Sequence, residues 1–359
     1  MLYFLTLVAV SFQKPMIFGY NNALIGVVIS ILLILFKILL IVKYEINKKD
    51  FFIYLICLLF LLLNSLNNYF LGAGIGALYD FFIGFFLLTC IFFVFLDFDK
   101  RKNNILLISI GFVIFSTFLT VLFSGFDVDN YKNLILFDFS VKDRMEIDYA
   151  SVLIPFSTIP WRMTVGDIIL PRATYFTIEP GVGVFVVFLW RYLCRNFEGL
   201  KLIVADIIMV LGLLLTASTT MPIMLICWFA GRYFYENGFG FYFKRNTINV
   251  NLKKILLILL FVAIGVYLFF YMPYFGYFNK LETHGESFEV RNELYSSETG
   301  IYRYIRILLL LLFYCCIRKY MCKSFSIIYS AMFFISILNV FAFTPLFFLS
   351  VFMAKKFKF

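Results

Sequence analysis

The sequence predicts an all-α polytopic integral membrane protein, a single membrane domain over residues 1–359. Three observations carry that expectation. The chain is 63% hydrophobic and only 14% charged, where an ordinary globular domain carries roughly 25% charge. Its apolar residues fall in long runs separated by polar breaks, and its Lys and Arg residues gather in alternate breaks. A water-soluble chain of 359 residues with this composition would expose apolar patches well above the few hundred Å² that a monomer in water tolerates. A secreted enzyme, a disordered tail and a nucleic-acid binder inferred from the +10 net charge are excluded on the same ground.

A bilayer core about 30 Å thick takes roughly 20 apolar residues per helix. Twelve runs are candidates: 2–12, 23–42, 51–66, 76–96, 105–124, 180–194, 202–217, 221–235, 255–271, 304–317, 325–338 and 344–354. The first has the length of a signal-peptide core but neither a basic start nor a clear small-residue cleavage site. The second and third flank Lys43, Lys48 and Lys49, and the fourth and fifth flank Lys100, Arg101 and Lys102. Pro180 opens the sixth, where proline suits a first helical turn. A hydroxyl-rich turn parts the seventh from the eighth. Lys244, Arg245, Lys253 and Lys254 precede the ninth, and Arg318, Lys319 and Lys323 follow the tenth. The last two are interrupted only around Asn339 and Pro345, so the total is about twelve, within a range of 10–12. With the N-terminus inside, these basic groups and Lys355, Lys356 and Lys358 all fall on the cytoplasmic side, while most acids fall outside. The positive-inside rule therefore puts both termini in the cytoplasm. The seven cysteines sit in the runs or at their inner ends, and no Cys/His spacing suggests a metal. No disulfide framework, metal or cofactor is expected.

Two outer connections are long, 125–179 and 272–303, and loops of that length are usually functional or disordered. The apolar patches 134–137 and 151–161 in the first suit short helices lying on the membrane surface, punctuated by Pro155, Pro160 and Pro171. Arg172 stands just outside a run, and a guanidinium offers a planar five-donor fork for phosphate oxygens. Glu179 beside Pro180 suits a helix start, where the dipole favours a carboxylate. Both residues also fit a snorkelling Arg and a plain cap. Thr216, Ser218, Thr219 and Thr220 either close a tight turn or bind sugar and phosphate. His284, the one histidine, lies among acids and is a candidate general base. Arg291, Arg303 and Arg306 are a second candidate anion clamp. Lys37 and Asp206 lie near inner ends and are expected to snorkel, with Asp80 near an outer end. The lack of charge near the midplane argues against a secondary transporter.

Arg172, ten intervening residues and Gly183, with the Glu179–Pro180 step inside, followed later by Thr216–Ala217–Ser218, resemble motifs of the O-antigen polymerase (Wzy) family. That family belongs to the wider O-antigen ligase and polymerase group of lipid-linked glycosyltransferases. The layout of spans and two large outer loops carries the resemblance over nearly the whole chain. The second loop departs from the pattern, because the position eleven after Arg291 is Tyr302, with Gly300 nearby. The resemblance implies a multi-pass protein of the bacterial inner membrane with a periplasmic active site. It implies a metal-independent glycosyltransferase (GT-C type) that moves a growing glycan from undecaprenyl pyrophosphate to the non-reducing end of a lipid-linked repeat unit. Arg172, Glu179, His284 and Arg291 are then the catalytic candidates. Arg303, Tyr302, Arg162, Glu293 and Ser218 are the candidates for substrate contact. The implied partners are the lipid-linked donor and acceptor, membrane lipids and a chain-length regulator protein. The rival expectations are an O-antigen ligase acting on lipid A-core and a flippase for the same lipid.

Overall fold

The computed structural model describes residues 2–11, 23–40, 46–96, 100–123, 135–142, 148–153, 161–165, 168–173, 175, 180–216, 218, 220–237, 241–244, 247–250, 252–272, 276–278, 297–322, 324–338 and 342–354. Among these residues every one of the twelve apolar runs is helical. In order they are α1 (Leu2–Ser11), α2 (Ala23–Leu40), α3 (Lys48–Asn68), α4 (Ile75–Phe95), α5 (Lys100–Phe123), α6 (Pro180–Leu193), α7 (Leu200–Leu215) and α8 (Met221–Asn237). They continue with α9 (Leu252–Tyr271), α10 (Ser297–Ile317), α11 (Phe325–Leu338) and α12 (Pro345–Met353).

Local chemistry sets several ends. Asn47 caps α3, its side chain accepting from the Lys49 N–H at 3.1 Å, with Asp50 in the positive first turn. Thr344 caps α12 in front of Pro345. The third apolar run breaks at Asn67 and Asn68, yet α3 continues through both and widens into a π turn over Tyr69–Ala73. Gly74, at φ 50°, ends it in a conformation that only glycine adopts freely.

Three segments are long and apolar enough to cross a membrane: Lys48–Leu71, Ile75–Phe95 and Asn103–Phe123. Leu24–Leu39, Leu259–Tyr271 and Phe325–Ile337 are shorter apolar helices. At 10 and 9 residues, α1 and α12 reach only about 15 Å, half a bilayer core. They pack inward instead. Tyr3 on α1 donates to the Val94 carbonyl at 2.9 Å, and α12 is buried along its whole length.

The core has two axes. α6 is buried from Gly183 to Cys194 and packs against α5, α7, α8 and α11. α12 lies against α1, α4 and α11, where Phe60, Phe313, Phe343 and Phe347 interlock edge to face and tilted. The outer faces are apolar as well. On α7, Leu200, Ile203, Val204, Ile207, Leu211 and Leu214 recur at helical spacing and are all exposed. A continuous apolar stripe facing outward is costly in water and free of cost against lipid chains.

The connections differ from expectation. Segment 134–137 was expected as a surface helix, but β1 (Ile135–Lys142) pairs antiparallel with β2 (Asp148–Leu153). Segment 151–161 runs from the end of β2 to the start of β3 (Trp161–Val165), which pairs with β4 (Ile168–Arg172). A third hairpin, β5 (Phe241–Lys244) with β6 (Thr247–Val250), joins α8 to α9. Pairing satisfies the facing backbone groups of each two-stranded hairpin, and the other edge of each strand has no ladder partner among the described residues.

Asn103 Nδ2 donates to the Leu193 carbonyl at 3.4 Å, so the start of α5 and the end of α6 share one end of the bundle. Tyr192 Oη lies 3.1 Å from Ser324 Oγ, which brings the α10–α11 turn to that same end. The opposite end therefore holds the end of α3, the starts of α6 and α10, and the α7–α8 turn.

Candidate functional site

This second end gathers most of the polar chemistry singled out from the sequence. Thr216 closes α7, its N–H and its Oγ1 both donating to the Leu213 carbonyl, at 3.2 and 2.7 Å. Ser218 Oγ lies 2.8 Å from Thr220 Oγ1 and accepts from the Thr220 N–H at 3.3 Å. Thr220 Oγ1 then donates to the Gly181 carbonyl at 3.3 Å, tying the α7–α8 turn to the first turn of α6. These hydroxyls close a turn between helices, the first of the two roles the sequence allows for them. Ser218 is buried, with its oxygen engaged by Thr220.

The segment after β4 docks on the same place. The Ala173 N–H donates to the Leu215 carbonyl at 2.9 Å. Tyr175 Oη donates to the Gly212 carbonyl at 2.6 Å, one turn deeper in α7. Tyr175 holds φ 57°, rare for a side-chain-bearing residue, and its ring is 2% exposed. Burial pushes its phenol well above the ordinary value, so it stays a protonated donor. Gly212 leaves room for the contact. A Cβ there would stand 3.2 Å from Tyr175 Oη and 3.0 Å from Val187 Cγ1. Arg172, immediately before Ala173, is thereby fixed by its backbone over the α7–α8 turn and close to the α6 start. It pairs with Trp161 in the hairpin, and Arg162 pairs with Pro171, one register step away.

Tyr302 and Arg303 lie in the first turns of α10, at this same end. One turn further, Arg306 Nη2 donates to Asn68 Oδ1 at 3.4 Å, linking α10 to the end of α3. The structure thus brings Arg162, Arg172, Ser218, Tyr302 and Arg303 to one end of the bundle as backbone positions. Glu179, His284, Arg291 and Glu293 lie outside the described residues.

Two clusters escaped the sequence reading. Asp206, expected to snorkel, instead accepts from Arg191 Nε at 2.7 Å, with Arg232 Nη1 at 3.7 Å from its other oxygen. Arg191 is wholly buried, its guanidinium carbon 4.4 Å from the Trp228 ring centroid. The cluster joins α6, α7 and α8 near the end opposite the hydroxyl turn. Lys37, also expected to snorkel, is 7% exposed. The other cluster is the amide group Asn64, Asn67 and Asn68. Its signal was present, since positions i, i+3 and i+4 share a helix face. Asn64 lies within the apolar run 51–66 and Asn67 and Asn68 just past its end, so the run boundary splits the group.

Comparison with protein-family models, with curated proteins and with solved structures gives no match.

Proposed function

We propose that this chain is an integral-membrane glycosyltransferase of the O-antigen polymerase kind, with ten membrane-crossing helices, the lower end of the 10–12 range, and its site at the periplasmic face. One observation carries the reading. The hydrogen bonds from Ala173 to Leu215, Tyr175 to Gly212 and Thr220 to Gly181 hold the Arg172 segment, the hydroxyl turn and the start of α6 together at one end. The exposed apolar helix faces supply the lipid setting that a polyprenyl substrate needs.

In this reading the anomeric carbon–oxygen bond to the pyrophosphate breaks as the acceptor hydroxyl oxygen bonds to that carbon. The acceptor proton passes to Glu179, His284 or Glu293, and undecaprenyl pyrophosphate departs. Pyrophosphate is a good leaving group, so charge stabilisation matters more than a strong acid. Arg172 supplies it, helped by the positive N-terminus of α6. Arg291 and Arg303 make further phosphate or sugar contacts, with Tyr302 and Arg162 lining the site, while Ser218 shapes the turn beneath it. Holding two lipid-linked heads together is largely a positioning contribution. No metal or cofactor takes part.

The test is genetic and biochemical. Arg172→Ala, at normal membrane abundance, should collapse the surface-polysaccharide ladder to single repeat units. Wild-type ladders from that variant would overturn the assignment. Gene deletion separates the ligase alternative, since losing a ligase leaves no capping, whereas losing a polymerase leaves one repeat. A transport reading would draw on the Arg191–Asp206 ion pair between α6 and α7, and that pair sits near one end of the bundle, away from its midplane. Purified protein that lengthens lipid-linked repeats in detergent micelles, where there is no second compartment, would exclude transport as the primary activity.

A further inference from the structure

At the end of α3, Asn64, Asn67 and Asn68 fall on one helix face, packed against α10. Asn64 and Asn67 are 8% and 6% exposed, and Ser65 between them is 6% exposed. So dense a set of amides among apolar neighbours is expensive unless each group is hydrogen-bonded. Asn68 accepts from Arg306 at 3.4 Å. Asn64 Oδ1 is buried and has no hydrogen-bond partner among the described residues. The helix then leaves regular α geometry for the π turn Tyr69–Ala73, a distortion frequent at functional sites. Tyr69, next to Asn68, is 44% exposed and offers an aromatic face beside the amides.

The chemistry of the unmet group selects the ligand. An amide oxygen repels a phosphate oxygen and needs a donor, which a sugar hydroxyl supplies. Amides also carry donors, so a row of them matches the paired donor and acceptor character of adjacent hydroxyls, as a row of arginines would not. We propose that the amide face Asn64, Asn67 and Asn68, with Arg306 opposite, is a saccharide subsite that binds the hydroxyls of a neutral sugar. This rests on the glycosyltransferase reading for its biological meaning. It divides the labour at this end of the bundle, with the Arg172 side holding diphosphate and the α3–α10 side holding sugar.

The experiment uses the full chain in lipid nanodiscs and two probes measured by calorimetry. One is the lipid-free, phosphate-free repeat oligosaccharide released from the host's own surface polysaccharide, and the other is inorganic pyrophosphate. Asn64→Ala and Asn68→Ala should each weaken the oligosaccharide by about tenfold, the loss of one well-placed hydrogen bond in a dry site, and leave pyrophosphate unchanged. Arg172→Ala should do the reverse. Asn68, less buried than Asn64, serves where Asn64→Ala fails to fold, and thermal unfolding identifies that case. The proposal is overturned if folded variants bind the oligosaccharide as the parent does, if the parent does not bind it, or if pyrophosphate binding falls instead. Failure of the polymerase reading would show separately, as unchanged ladders in the Arg172→Ala strain.

Discussion

Tyr175 shows how one side chain places a whole segment. Its hydroxyl donates to the Gly212 carbonyl, where a Cβ would crowd it at 3.2 Å, and its positive φ goes with that contact and the Ala173–Leu215 bond beside it. Tyr175→Phe removes one buried hydrogen bond and should cost about 1 kcal/mol. Gly212→Ala drives a methyl into Val187 and the tyrosine oxygen and should cost about 1–3 kcal/mol. Thermal unfolding in detergent ranks the two. Gly212→Ala should also make 168–175 more accessible to protease, and equal protection would show that the segment docks by other means. Neither residue stood out in the sequence. Gly212 reads as one more small residue in an apolar run, and Tyr175 as one aromatic among 23 tyrosines. Arg172 stands out more, as a cation eight residues before the proline-started run, a pattern that a snorkelling arginine shares.

Among the described residues, each apolar run forms a helix, since a stretch of Leu, Ile and Phe without breakers satisfies its backbone in lipid as a helix. The hairpins were hidden. Their strands are 4–8 residues long and take their stability from pairing, which composition does not reveal. The tie among α6, α7 and α8 was hidden for another reason. Arg191 and Asp206 stand on separate helices, each near an end, and each alone reads as interfacial. Asp206→Ala strands the Arg191 charge in the interior and should destabilise the bundle by about 3 kcal/mol or more. Arg191→Met combined with Asp206→Leu removes both charges and should cost markedly less. Denaturant titration in micelles compares them, and a double variant as damaged as Asp206→Ala would mean the pair sets helix geometry beyond its charge balance.

For the molecule as a whole, helix order makes one end of the bundle carry Arg172, Thr216–Thr220, Asn64–Asn68 and Arg306, and the other carry Asn103, Leu193 and Ser324. The proposed topology, drawn from charge bias, puts the first end at the periplasm. Cysteine substitution followed by an impermeant thiol reagent on intact cells tests this. Serine replacement of the exposed Cys315 and Cys316 comes first to clear the background. A cysteine at the exposed Ala73 should label from outside and one at Glu198 should not, and the reverse pattern would invert the topology. α12 has a different consequence, one of timing. It leaves the ribosome long after α1, yet the two touch in the interior beside α4. The early helices must therefore sit in the bilayer with an unfilled slot between them until this short segment arrives, and quality-control proteases have that interval in which to inspect an unfinished product.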